Sequence, residues 1–357
     1  MFMIADHQES VTSIIFGGVD THGDVHVAAA VSQTGKVLGT ESFPATSGGF
    51  AQLLGWLCGH GDLARVGVEG TGSYGAGLAR FLAEQGVRVR EVNRPNRQKR
   101  RRHGKSDPVD AVSAAIAALN DDETATPKAG TGPAETIRQL RAARAGAMKA
   151  RTQAGNELRD LIVTAPAALR EQLRPLATRA RVKAAAVFTP GDLAEPAEGA
   201  KAAMRHVALR WQHLDAEEKA ISAQLRVLVP QAAPQEFLDR TGVSTQTAAA
   251  LIAAAGDNPQ RILSEAAFAA LAGVSPVDCS SGKQEHHRLN RGGDRQANSA
   301  IWRIVMTRLR CDPRTKAYYD KRTREGRTRK YIIRCLMRYV AREVYKHLVC
   351  PASTAAP

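Results

Sequence analysis

The chain has 357 residues, 43% of them hydrophobic and only 5% aromatic, and 50 lysines and arginines against 35 aspartates and glutamates leave a formal charge of +15. That length suits two domains with cores of their own, and the basic excess points to a polyanionic partner, nucleic acid above all. A membrane partner is not expected, because the sequence has no run of about 18 apolar residues, no signal peptide and no lipidation motif.

The five cysteines (Cys58, Cys279, Cys311, Cys335, Cys350) are scattered and never spaced C-x-x-C. This excludes a disulfide framework and a zinc ribbon, and a reducing, cytoplasmic setting follows as the expectation.

In chain order, Ser13–Asp20 (SIIFGGVD) is an apolar run ending in an acid, and Asp24–Ser32 alternates like a half-buried strand. Thr34-Gly35 marks a turn before a third strand over Lys36–Phe43, which gives an antiparallel meander. A helix over Phe50–Cys58 follows, with Phe50, Leu53, Leu54 and Leu57 on one face. Arg65–Glu69 (RVGVE) is a short strand that again ends in an acid. The glycine-rich Gly70–Gly77, a second helix and a strand over Val87–Val92 come next. Three hairpin strands followed by helix–strand–helix–strand is the ribonuclease-H-like order, a mixed-sheet α/β domain. We place it at residues 12–125.

Beyond a linker at 120–133, two segments carry seam positions at alternating steps of three and four, apolar except for the polar interruptions Arg144, Arg151 and Glu218. One series is Ile137, Leu140, Arg144, Ala147, Arg151, Ala154, Leu158 and Leu161; the other is Val207, Trp211, Leu214, Glu218, Ile221, Leu225 and Leu228. They read either as an antiparallel coiled-coil arm (134–230), within one chain or across a dimer, or as two ordinary amphipathic helices. A mostly helical C-terminal domain (236–350) completes the fold class, α/β plus all-α. Its Thr241-Gly242-Val243-Ser244 is similar to a phosphate-binding helix–hairpin–helix, with Ser244 where a second glycine is usual. Residues 273–295 read as a loop, and helices are expected over Ala297–Leu309 and Tyr331–Val349, with Tyr331 and Tyr339 as packing residues.

Acids carry the chemistry. In Gly104–Ala111 (GKSDPVDA), Asp107 sits near an N-cap, Pro108 suits the first helical turn, and Asp110 follows on the same helix face. The pair either compensates the helix dipole or shares a divalent cation. In a ribonuclease-H-like sheet the first and fourth strands are neighbours, so Asp20 and Glu69 converge at one edge. Asp107 and Asp110 join them from a docked helix. Such carboxylates repel unless cations neutralise them, and hard oxygen ligands suit Mg²⁺ or Mn²⁺.

The blocks GVDTHGDVHVAAAV, VGVEGTGSYG and GKSDPVDA, with LAGVSPVDCSSGK…RLNRGGDRQANSAIW near the C-terminus, resemble the insertion-sequence transposases of the IS-one-ten and IS-eleven-eleven elements. These are guided by a structured bridge RNA and carry a RuvC-like Asp-Glu-Asp-Asp domain. The resemblance runs from about Ile14 to about Leu348. It implies that Asp20, Glu69, Asp107 and Asp110 bind the metal, and that a serine in the second domain joins covalently to a DNA phosphate in a site shared between subunits. The matching serine is Ser281, with Ser280 as the adjacent register.

A DNA transposase working with a guide RNA, as a dimer or tetramer, is the function this implies. The alternatives are a junction-resolvase-like metal endonuclease using water, a tyrosine recombinase using Tyr318 or Tyr319, and a non-enzymatic nucleic-acid scaffold. Backbone contacts are expected from Arg97, Arg100, Arg101, Arg102 and Lys105, from Lys283, Arg288 and Arg291 around the serine, and from the tract Tyr318–Lys330, which ends at Lys330.

Overall fold

The structure is a computed structural model that describes residues 13–92, 106–121, 124–282 and 287–350. The chain divides into two compact units, one ending at Thr131 and the other beginning at Gly132.

The first unit is built on β1 (Ile14–Thr21), which pairs antiparallel with β2 (Val25–Ser32), itself antiparallel to β3 (Val37–Pro44). Helix α1 (Ser47–Cys58) follows, its start capped by Thr46, whose Oγ1 accepts from Gly49 N at 3.1 Å. The chain then returns as β4 (Asp62–Glu69), parallel to β1 on its other side. Helix α2 (Ala76–Glu84) leads to β5 (Val89–Val92), parallel to β4. Helix α3 (Asp107–Asn120) precedes the two-residue β6 (Thr124–Ala125). The mixed sheet runs β3-β2-β1-β4-β5-β6. It keeps the expected strand order and adds β6 at the edge.

Period-two alternation decides which side chain faces which helix layer. Val19, Ala28, Ala30, Val66 and Val68 pack with Leu53 and Leu57 of α1 and Leu78 and Leu82 of α2. Phe16, Val27, Ala29 and Val31 face the other way and pack against Ala111 and Ala115 of α3. Asp20 shares the α3 parity with Phe16, and Glu69 shares it with Gly67. Gly18 and Gly67 have a specific reason to be glycine. A Cβ at Gly18 would lie 2.0 Å from Ala115 N and 2.3 Å from Ala111 O, and one at Gly67 would lie 2.4 Å from Ala114 O. The α3 backbone therefore rests directly on the two central strands.

In the second unit, α4 (Pro133–Thr164) and α7 (Pro196–Leu228) pair antiparallel. Arg144 meets Glu218 at 2.5 Å, Arg151 meets Asp215 at 2.5 Å, and Glu157 meets Arg210, so positions ascend on one helix as they descend on the other. The polar interruptions in the two seams thus face each other and neutralise their charges. Between them, α5 (Ala167–Leu173) and α6 (Thr178–Ala186) close a small core on Leu158, Leu169, Leu173, Val182 and Met204.

The larger core lies beyond α8 (Gln235–Leu238), around α9 (Thr245–Ala255) and α10 (Glu265–Leu271). Ser244 and Thr247 form a reciprocal capping box at the start of α9, which gives the serine at this position a structural task. Residues 273–295, read from sequence as a loop, contain two short paired strands, β7 (Pro276–Asp278) and β8 (His287–Leu289). Helices α11 (Arg295–Cys311), α12 (Pro313–Arg324) and α13 (Arg329–Val344) complete the unit. Among the described residues, no helix is long and apolar enough to cross a membrane. None of the five cysteines, all among the described residues, forms a disulfide.

Candidate functional site

The acids of the first unit come together through the fold just described. Val19 of β1 lies opposite Val68 of β4 in a parallel ladder, so the next residues, Asp20 and Glu69, end neighbouring strands side by side. Helix α3 begins over the same face. Ser106 is its N-cap, which moves the helix start one residue before the expected cap at Asp107. Asp107 and Asp110 then occupy the first helical turn together with Pro108.

Burial sets the electrostatics here. Asp110, Glu69 and Asp20 are only 4%, 6% and 7% exposed, whereas Asp107 is half-buried. Burial holds the Asp20 carboxyl above its ordinary range; His22 opposes this, while the nearby Asp110 and Asp107 carboxylates add to it. Asp20 thus feels both acids of α3 as like charges.

A fifth residue joins the set. His22, in the turn between β1 and β2, places its Nε2 at 3.1 Å from Asp20 Oδ2 and 3.5 Å from Asp107 Oδ1. Ligand atoms of Asp20, His22 and Asp107 lie within 4.8 Å of one another. Buried carboxylates of like sign are costly unless a cation joins them, and a donor set of carboxylate oxygens with one imidazole is suited to a divalent metal. The residues fit such an ion.

In the sequence His22 reads as an ordinary turn residue. Its signal is the Asp-x-His spacing at a strand end, which returns the histidine to the face of the acid. Thr21 contributes differently. Its hydroxyl donates to the Glu69 carbonyl at 2.9 Å, tying the ends of β1 and β4 together.

In the second unit, Ser281 is exposed at the far end of the β7–β8 hairpin, just before Gly282 in the left-handed region at φ +60°. Ser280 is engaged: its hydroxyl donates to Asp278 Oδ1 at 2.5 Å, and its backbone N–H donates to the same oxygen at 2.8 Å. These bonds hold the Asp278 carboxyl below its usual range.

Arg288 and Lys330 line a cleft of about 850 Å³ at the base of the hairpin. Arg291 lines an adjoining groove of about 480 Å³. Arg97, Arg100, Arg101, Arg102, Lys105 and Lys283 lie outside the described residues. Tyr331 and Tyr339, expected as packing residues, are instead 43% and 50% exposed and line the larger cleft. Ile332, Leu336, Met337 and Val340 fill the core from α13.

A mixed six-stranded sheet with acids at adjacent strand ends is compatible with a ribonuclease-H-like domain of the Asp-Glu-Asp-Asp type. Residues 17–165 match a family model of that type, described as a transposase and bearing the IS110 label. Residues 235–320 match a second one, described as "Transposase IS116/IS110/IS902 family". Two separate stretches of the chain are thus similar to transposase domains of the IS110 type. It is also 31% identical over 115 residues to "Insertion element IS110 uncharacterized 43.6 kDa protein" of Streptomyces coelicolor. That stretch is 31% of this chain and 28% of the relative's length.

Proposed function

We propose that this chain moves an insertion sequence by cleaving and rejoining DNA strands with Mg²⁺ or Mn²⁺, using Ser281 as nucleophile. The observation that carries the reading is the meeting of Asp20, His22 and Asp107 beside the buried Asp110 and Glu69, in a chain with two stretches similar to transposase domains. Labour is divided among three segments: residues 12–125 for the metal chemistry, 134–230 as a coiled-coil arm, and 236–350 for the serine.

Asp20, Glu69, Asp107 and Asp110 hold the ion, with His22 as a further ligand or as the group that orients Asp20. When bound, a divalent cation supplies stabilisation of the charge that develops on the phosphate. The Ser281 oxygen attacks a DNA phosphorus and forms a serine–phosphate ester. One strand oxygen leaves and takes up a proton. A hydroxyl of the receiving strand then attacks the same phosphorus and releases the serine. Arg288 and Arg291 hold flanking phosphates. The basic surface also retains a structured guide RNA through its phosphates and shape, while base pairing reads sequence. Subunits assemble as a dimer or tetramer to complete the serine site.

The test uses the full chain, element-end DNA, guide RNA and Mg²⁺, with covalent protein–DNA adduct as the readout. Ser281→Ala is expected to abolish the adduct and strand joining. An undiminished adduct would remove Ser281 from the role, and cleavage by the variant without any adduct would favour water as nucleophile. The tyrosine alternative is tested by Tyr318→Phe and Tyr319→Phe, whose retained activity would dismiss it. The Tyr318 hydroxyl is pushed up to about 12 by burial, then by Cys335 and Tyr339, so it holds its proton tightly.

A further inference from the structure

The larger cleft and the smaller groove of the second unit share Gly273, Leu289, Asn298 and Trp302 in their linings. Trp302 is the aromatic side chain among these. It lies on α11, whose Ala297, Ile301, Ile304 and Val305 supply the core contacts, and it is left 45% exposed. Among the described residues Trp302 makes no ring stacking or cation–π contact. The other two tryptophans are both occupied: Trp56 packs on Phe43 and His60 at 5.7 and 4.7 Å, and Trp211 lies under Arg151 at 5.6 Å.

The charge around Trp302 is one-sided. Arg288, Lys330 and Arg334 line the cleft and Arg291 and Arg295 the groove, and neither lining includes a carboxylate. These five cations make no ion pair among the described residues. By contrast, Arg338 and Arg342, also on the cleft, are neutralised by Glu265. An exposed indole between two cationic channels is the combination that binds an unpaired strand, where bases stack on the ring and phosphates follow the cations. A duplex offers the phosphates but not an open base face.

We propose that Trp302 is a stacking platform for an unpaired DNA strand that passes from the groove lined by Arg291 and Arg295 into the cleft lined by Arg288, Lys330 and Arg334. DNA, rather than RNA, is the assigned strand because β7 and β8, which form one wall, also carry Ser281; that choice rests on the function proposed above. The platform would keep bases unpaired next to the phosphate that the serine attacks.

The experiment titrates the full-length protein with a short single-stranded oligothymidylate, reading tryptophan fluorescence and the anisotropy of labelled oligonucleotide. Oligothymidylate should quench emission in the native chain, and both Trp302→Phe and Trp302→Ala should lose that quench. Trp302→Ala should bind the single strand roughly 5- to 100-fold more weakly, as expected for one stacked base, while Trp302→Phe loses far less. Duplex affinity should not change in either variant.

Native affinity in Trp302→Ala would overturn the platform, as would an equal loss for duplex. Tighter binding of an RNA oligomer that is lost in Trp302→Ala would also overturn it, by assigning the ring to RNA. Trp302→Phe guards against misfolding, since it keeps a ring on the same helix. The two proposals fail separately: Ser281→Ala should retain the quench, and an undiminished adduct in that variant beside an intact Trp302 effect would count against the serine reading alone.

Discussion

The acidic site and the serine hairpin are built in opposite ways. Asp20, Glu69 and Asp110 are buried at strand and helix ends held together by backbone packing, with Gly18 and Gly67 admitting α3 to the sheet. Ser281 stands exposed on a hairpin whose two strands are three residues each. The first site is preorganised before any substrate arrives, which is where electrostatic catalysis gains most. The second has no comparable packing among the described residues, and on the proposed reading DNA and a neighbouring subunit would complete it. Disturbing packing should therefore destroy the first site, whereas the hairpin should tolerate changes that leave the serine hydroxyl in place.

The largest effect is expected from Gly18→Val. Its added carbon would lie 2.0 Å from the α3 backbone, so the helix must lift and take Asp107 and Asp110 with it. Overpacking of this kind typically costs about 1–3 kcal/mol, and more where backbone must move. Urea unfolding and Mg²⁺-dependent cleavage should both collapse; an active, stable variant would mean that α3 is not held by this contact.

Asp20→Asn separates chemistry from packing. It removes one charge from a crowded acidic group, so the thermal midpoint should hold or rise while cleavage falls about 10³-fold, the scale of a lost metal contribution of several kcal/mol. Divalent-ion affinity, measured by calorimetry, should fall with it. Unchanged affinity would separate Asp20 from the metal.

The two sites also differ in how much of them could be read from sequence. SIIFGGVD is an apolar run and RVGVE a short strand, each with an acid at its end, so the position of Asp20 and Glu69 at strand ends was legible. The need for glycine at Gly18 and Gly67 was not, because it comes from a helix distant in sequence. His22 was hidden as a turn residue, since only the geometry of the β1–β2 turn brings its Nε2 to Asp107.

In the second unit the hydrophobic period placed α11 and α13 correctly in the core. It also placed Tyr331 and Tyr339 there, because apolar rings and packing residues look alike in a helical pattern. Ile332 takes the fully buried position, and Ile333 beside it is only partly buried. The α4–α7 pairing shows the converse: Arg144, Arg151 and Glu218 look like breaks in a seam, yet they meet one another across it.

A smaller effect is expected from an ion pair that holds the C-terminal core. Arg308 donates to both Glu343 oxygens at 2.8 Å and to the Thr241 carbonyl at 2.7 Å. Burial alone would raise the Glu343 carboxyl, but the Arg308 hydrogen bond and the charges of Arg308 and Arg240 hold it below its usual range. Its stabilising contribution is therefore present above the unfolded carboxylate range and is lost as pH falls through the depressed folded value. Glu343→Gln should cost about 1–3 kcal/mol near neutrality, and the gap to the native chain should close in acid. A gap constant with pH would assign the loss to packing alone.

The smallest effect tests the hairpin itself. Ser280 donates both its hydroxyl and its N–H to Asp278, so its side chain is committed to the turn, whereas Ser281 projects beside it into solvent. Ser280→Ala removes one exposed hydrogen bond and keeps the backbone one, so stability should change by no more than about 0.5 kcal/mol. The covalent adduct should still form, slowed only to the extent that the looser turn leaves Ser281 misaligned. Adduct loss in Ser280→Ala together with adduct formation in Ser281→Ala would exchange the two serines.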